Sequence, residues 1–166
     1  EISECLVGSE MCKETAWYKG GTEVVFACGG GIYASAAEAA AKVEGAKVIG
    51  VDVDQAGIID GKYGEGMTVT SAMKGLAPAV KTVLAAISAD KWADFGGKIE
   101  TLGLVSENPD DNYVQLAGST QFADGFTQDD YKTLVASMFK GDIKVDNSTE
   151  KLPEVSVKVE MFDNIL

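Results

Sequence analysis

The sequence predicts an α/β fold, a mostly parallel sheet flanked by helices. Two observations carry this. Short apolar runs alternate with helical stretches along almost the whole chain, the pattern of strands joined by helical crossovers. Residues 22–54 also form one complete strand–helix–strand unit. It has an apolar run at 24–28, the glycines Gly29, Gly30 and Gly31, an alanine-rich segment at 34–43, and a second apolar run at 48–51 that ends in Asp52.

This unit points to a ligand. In an open parallel sheet, ligands bind beyond the carboxyl ends of the strands, and both the glycine turn and Asp52 fall at such ends. Glycines let a ligand approach the backbone closely. A helix starting just after them offers free N–H groups and the positive end of its dipole. Asp52 offers acceptor oxygens suited to a sugar diol.

The elements follow in order. Residues 2–7 read as a short or truncated strand. Residues 9–19 read as a helix capped by Ser9, with Met11, Cys12, Thr15, Ala16 and Trp17 near one face. Trp17 and Tyr18 are packing residues in this reading, and Gly20-Gly21 stops the helix. After the central unit, 55–66 carries Gly57, Gly61, Gly64 and Gly66 and is expected to be a loop. Residues 67–71 form a short β-type run. If that run is parallel, Lys74 beyond it comes to the same sheet edge as Asp52. Lys74 then has two readings: a donor to a ligand oxygen, paired with an aspartate, or a solvated lysine at a helix start.

Residues 77–89 read as a helix with Pro78 in its first turn and Val80, Val83, Leu84 and Ile87 as its buried stripe. A turn at 90–98 is anchored by Trp92 and Phe95, 99–105 is a strand, 106–112 is a polar loop around Pro109, and 113–117 is a short strand. Thr127 caps a helix over 128–140, with Tyr131, Leu134, Val135, Met138 and Phe139 facing inward and Gly141 ending it. Residues 155–162 alternate valines and Met161 against Ser156, Lys158 and Glu160, as a half-exposed strand at an edge or in an antiparallel pair does.

Composition narrows the function. The chain has 166 residues, enough for a single α/β domain over 1–166. A net charge of −12 argues against nucleic acid and anionic membrane surfaces as partners. There is no histidine, so the commonest general base and metal ligand is absent. Cys5, Cys12 and Cys28 show no metal spacing, and Cys28, at the end of an apolar run, is expected to be a buried thiol. Neither a metal nor a cofactor is expected, and no paired nucleophile and base suggests turnover. No apolar run approaches the ~18 residues of a transmembrane helix. With no signal peptide and no initial Met, the chain is expected to be a fragment or a processed piece.

Two ligand readings fit the central unit. Gly29-Gly30-Gly31-Ile32-Tyr33-Ala34 satisfies G-x-G-x-x-G/A between a strand and a helix. Asp52 follows at close to the ~20-residue interval of a ribose-binding acid, so an NAD(P)-binding domain of an oxidoreductase is one reading.

The other comes from resemblance. Gly-Thr-Glu-Val-Val-Phe-Ala-Cys-Gly-Gly-Gly-Ile-Tyr, then Val-Ile-Gly-Val-Asp-Val-Asp-Gln, then Thr-Ser-Ala-Met-Lys-Gly, resembles the basic membrane lipoprotein family, the PnrA-like nucleoside-binding proteins that serve ABC transporters. The likeness runs over roughly 9–89 and continues more weakly through Leu102-Gly103-Leu104 and 141–145.

The resemblance implies a type I periplasmic-binding fold of two Rossmann-like lobes, of which this chain supplies mainly the second. It implies a non-enzymatic substrate-binding component that holds purine nucleosides, or a related ribose-bearing ligand, between the lobes. It implies a transporter permease as partner. It places the protein in the periplasm or on the extracytoplasmic face of the cell membrane, held by a lipid anchor that this chain lacks. Residue by residue, Asp52 resembles the acid that accepts ribose hydroxyl hydrogen bonds, and Lys74 the lysine that reaches the same sugar. Gly30 or Gly31 resembles the backbone position touching the ribose, and Phe26 or Tyr33 the aromatic wall for the base. Asp54 and Gln55 orient Asp52 or line the hinge side.

Overall fold

A computed structural model describes residues 9–146 and 154–161. The strand expected at 2–7 lies outside the described residues. The element order is α1 (Ser9–Lys19), β1 (Val24–Phe26), α2 (Tyr33–Ala40), β2 (Lys47–Asp52), α3 (Ala56–Tyr63), β3 (Thr68–Lys74), α4 (Leu76–Ser88), β4 (Val114–Leu116) and α5 (Gln128–Lys140). The sheet order is β1-β2-β3-β4, with β1, β2 and β3 parallel and β4 antiparallel to β3. The fold is thus α/β, an open and mostly parallel sheet flanked by helices, of Rossmann-like form.

The core lies between β1–β2 and the helix layer. Ala36, Ala37, Ala39 and Ala40 of α2 are buried with Ala27, Val48, Ile59 and Met67, and Tyr18 joins them from α1. The alanines have no side chain beyond Cβ, so α2 settles close on β2, and α1 and α3 pack on its two flanks. Tyr18 is only 2% exposed, and its hydroxyl donates to the Lys47 carbonyl at 2.7 Å. Burial pushes its pKa from 10.0 up to about 12. The fold favours the neutral phenol, so this contribution is whole below pH 10 and is lost as pH rises from 10 towards 12. Urea midpoints should therefore fall across that window in the wild type. Tyr18→Phe should fall less, after losing about 1 kcal/mol at neutral pH for the missing hydrogen bond.

Several elements differ from the sequence reading. Residues 56–63, expected in a loop, form α3. Ile59 is fully buried there, and Asp60 fastens the helix to the next strand by accepting from Gly66 N at 3.0 Å, Thr68 N at 2.9 Å and Thr68 Oγ1 at 2.7 Å. Tertiary anchoring outweighs the cost of two glycines, roughly 1 kcal/mol each. The strand expected at 99–105 does not form, and Ile99 is fully exposed. The Val105 N–H is held instead by the Asn112 side chain at 2.7 Å, so it is not free for a ladder.

Residues 154–161 contain no strand either. Val155, Val157, Val159 and Met161 are all exposed, and Phe162 lies outside the described residues. In α4 the expected buried stripe is largely in solvent: Val80, Leu84 and Ile87 are half or more exposed, Val83 is half-buried, and Ala86 is the residue that is buried. Trp92 is exposed rather than an anchor, and Phe95 is half-buried. In α5 the cap is as expected, with Thr127 and Asp130 forming a reciprocal capping box and Gly141 left-handed at φ 84°. Val135 is buried there but Phe139 is exposed. Among the described residues no helix is long and apolar enough to cross a membrane.

Candidate functional site

The parallel pairing of β2 with β3 sets Asp52 opposite Met73, one residue short of Lys74. The two charged groups meet at the carboxyl end of the sheet, with Lys74 Nζ 2.6 Å from Asp52 Oδ1. That oxygen is closed off from solvent, and the Lys74 ammonium is its partner. The Asp52 hydrogen bond and charge raise the Lys74 pKa, and the nearby Cys28 adds to this. Lys74 therefore stays an ammonium across the neutral and mildly alkaline range, and its pairing is lost only as pH rises through the raised value, above 10.5.

Asp52 is in an uncommon conformation. Its φ is +70°, and Val53 N donates to the Val51 carbonyl at 2.8 Å across it. This is a γ-turn of the strained, positive-φ kind. Strain of about 1–3 kcal/mol persists only where the surroundings hold it, and such residues cluster at ligand sites.

Gln55 is what holds it. Its side chain is buried, Oε1 accepts from Val51 N at 3.0 Å, and Nε2 donates to the Gly30 carbonyl at 3.1 Å. Its own N–H donates to Ser71 Oγ at 3.1 Å. One residue thus ties the glycine turn after β1, the end of β2 and the middle of β3 together. Gly50 makes room for this: an added Cβ would stand 2.6 Å from Ser71 Oγ and 2.7 Å from Gln55 Oε1. A glycine inside a strand is the sequence signal of such a close approach. Gln55→Ala should lower stability by about 2 kcal/mol, a melting shift of roughly 4–8 °C for a chain of this size. Differential scanning calorimetry measures it.

The other expected residues are spread around this centre. Gly30, at φ +25°, and Gly31 lie in the turn, with open space where a Cβ would be. Phe26 ends β1 and is half-exposed, free to present its ring. Tyr33 opens α2 and packs against the buried cluster, so it serves the core. Asp54 does not touch Asp52: its Oδ1 accepts from Ala56 N at 3.1 Å and from Ser119 Oγ at 2.7 Å, linking the start of α3 to the loop after β4. Cys28, expected to be buried, is exposed beside the site, because β1 ends at Phe26 and the chain has already turned.

A buried polar anchor in the loop before β4 is one the sequence reading missed. Asn112 is fully buried. Its Oδ1 accepts from Val105 N at 2.7 Å and Ser106 N at 2.9 Å, and its Nδ2 donates to the Ser106 and Asn108 carbonyls, both at 3.1 Å. An asparagine closing a Ser-x-Asn-Pro-Asp turn is its local signal.

Chemically the centre offers a carboxylate acceptor, an ammonium donor and a glycine-lined backbone. Among the described residues no group of His, Cys, Asp and Glu is placed to hold a metal. No protein-family model and no curated protein sequence matches the chain.

Proposed function

We propose that this chain is the nucleoside-recognising lobe of a two-lobed solute-binding protein of the basic membrane lipoprotein type, which delivers its ligand to an ABC transporter permease. One observation carries the reading: Asp52 and Lys74 are paired at 2.6 Å at the carboxyl ends of β2 and β3, beside the glycine turn after β1. A carboxylate accepts from a vicinal diol and an ammonium donates to it, so the pair reads both hydrogen-bonding roles of a ribose. Phe26 supplies an exposed aromatic face for a ring. Gln55 supports the site from behind by tying the glycine turn to the end of β2. The module binds without turnover. Its place is the extracytoplasmic face of the cell membrane, through a lipid anchor, or the periplasm.

A titration of the ¹⁵N-labelled chain with guanosine, adenosine, cytidine, ribose and NAD, followed by NMR, tests this. Millimolar binding of nucleosides, and weaker binding of ribose, should shift the amides of Gly30, Gly31, Asp52 and Lys74. The weakness follows from half the contacts and the closing motion belonging to a second lobe. Shifts with NAD alone would replace the transporter reading with the dinucleotide one. Micromolar binding by this chain alone would overturn the two-lobe assignment.

A further inference from the structure

Only Ala86 of the 13 residues of α4 is buried. A helix this apolar is ordinarily covered on at least one side. Leu76, Val80, Leu84 and Ile87 make one exposed row along it. At the rise of an α-helix the row is about 17 Å long. Trp92, also exposed, follows just past the helix end.

Charge sets this region apart. The chain holds 26 Asp and Glu residues, yet none lies in 66–89. Residues 74–102 carry Lys74, Lys81, Lys91 and Lys98 against three acids, a net +1 that leaves −13 for the rest of the chain. All four lysines are exposed. Lysine stems lie along apolar surface while the ammonium stays in water.

Shape and chemistry together choose the occupant. The row stands on the outside of a helix, so it is a ridge. A folded partner needs a groove cut to match a ridge, whereas the fluid boundary of a bilayer takes one without it. An apolar row, lysines beside it and a tryptophan at its end are the composition of a helix that lies in a lipid interface. A second copy would set −12 against −12.

We propose that α4 docks on a zwitterionic lipid surface, lying along it with this row sunk to the acyl boundary. Four half-exposed aliphatic side chains give binding of the order of one myristoyl chain, about 10⁴ M⁻¹, marginal and reversible. Stable attachment takes two such signals, so α4 adds to a lipid anchor and does not replace it. Leu76 opens α4 two residues after Lys74, so docking holds the Asp52–Lys74 edge at the bilayer. The docking stands apart from the nucleoside reading. Its purpose, handing the ligand to a permease in the same membrane, rests on that reading.

Flotation of the chain with phosphatidylcholine vesicles tests this. At about 1 mM lipid most of the wild type should float, and its tryptophan emission should shift to the blue. Trp92→Phe should still float and lose that shift. The double variant Leu84→Glu, Ile87→Glu should float roughly tenfold less. Both positions are exposed, so an unchanged melting temperature verifies its fold. A wild type that stays unbound, or that floats no better than the double variant, overturns the proposal. So does a wild-type dimer in sedimentation at physiological salt that the double variant breaks, since a second copy then covers the row. Guanosine shifts measured without vesicles judge the nucleoside reading separately.

Discussion

Asp52→Gly is expected to remove most of the chain's affinity for nucleosides while leaving its melting temperature unchanged or higher. The two effects have separate causes. A hydrogen bond to a charged group is worth about 1.5–3 kcal/mol when protected from water, which corresponds to roughly a 10- to 100-fold change in affinity. Stability moves the other way, because Asp52 sits at φ +70° in a γ-turn that glycine adopts without strain. Its ion pair contributes little to offset this, since Lys74 is largely in solvent. Shifts at Gly30, Gly31 and Lys74 should vanish at guanosine concentrations that shift them fully in the wild type. A glycine variant that melts lower and binds as before would show that Asp52 is a structural residue. Asp52→Asn separates charge from shape, and should lose affinity without gaining stability.

Asn112→Ala is expected to be the more damaging substitution for the fold. It strips four hydrogen bonds from a fully buried side chain and leaves the amides of Val105 and Ser106 without their acceptor. Each buried polar group left unpaired costs about 1–3 kcal/mol. Part of this is recovered as water enters the surface loop, which leaves a loss of about 3 kcal/mol, or roughly 6–12 °C in melting temperature. Asn112→Asp keeps the acceptor and loses the two donations, so it should fall between alanine and wild type. Thermal unfolding of the three chains decides the order. Equal melting of alanine and wild type would mean that the loop is held by its backbone alone.

Much of this architecture is legible in the sequence because it is local. The strand, glycine turn, alanine-rich helix and second strand leading to Asp52 lie within 22–54, and small residues there pack against their own neighbours. A parallel pairing of the runs at 48–51 and 67–71 suffices to bring Lys74 to the edge that holds Asp52, while the sequence leaves open whether it meets that acid or solvent. What the sequence hides depends on distant partners. Gly57 and Gly61 read as helix breakers, yet both lie on the exposed side of α3, while Ile59 on the other side is buried. The apolar runs at 99–105 and in α4 show what a strand or helix would bury, not that a partner is present to bury it. Gln55 and Asn112 look like ordinary polar loop residues until their hydrogen-bond partners are seen. Tyr33 and Phe26 are indistinguishable as aromatic neighbours of a glycine turn, and only the chain's path after β1 sends one inward and leaves the other at the edge.

The uncovered face of α4 has a consequence for handling the molecule. Leu76, Val80, Leu84 and Ile87 form one exposed apolar line on a chain of net charge −12. Like charge keeps copies apart in dilute buffer, where the Debye length is about 30 Å at 0.01 M salt. It shrinks to about 3 Å at 1 M, and strongly hydrated salts such as sulfate strengthen apolar contact as well. Colloidal stability is therefore expected to follow ionic strength: the chain should stay dispersed in low salt and self-associate through α4 in high salt, which light scattering across a sulfate series checks.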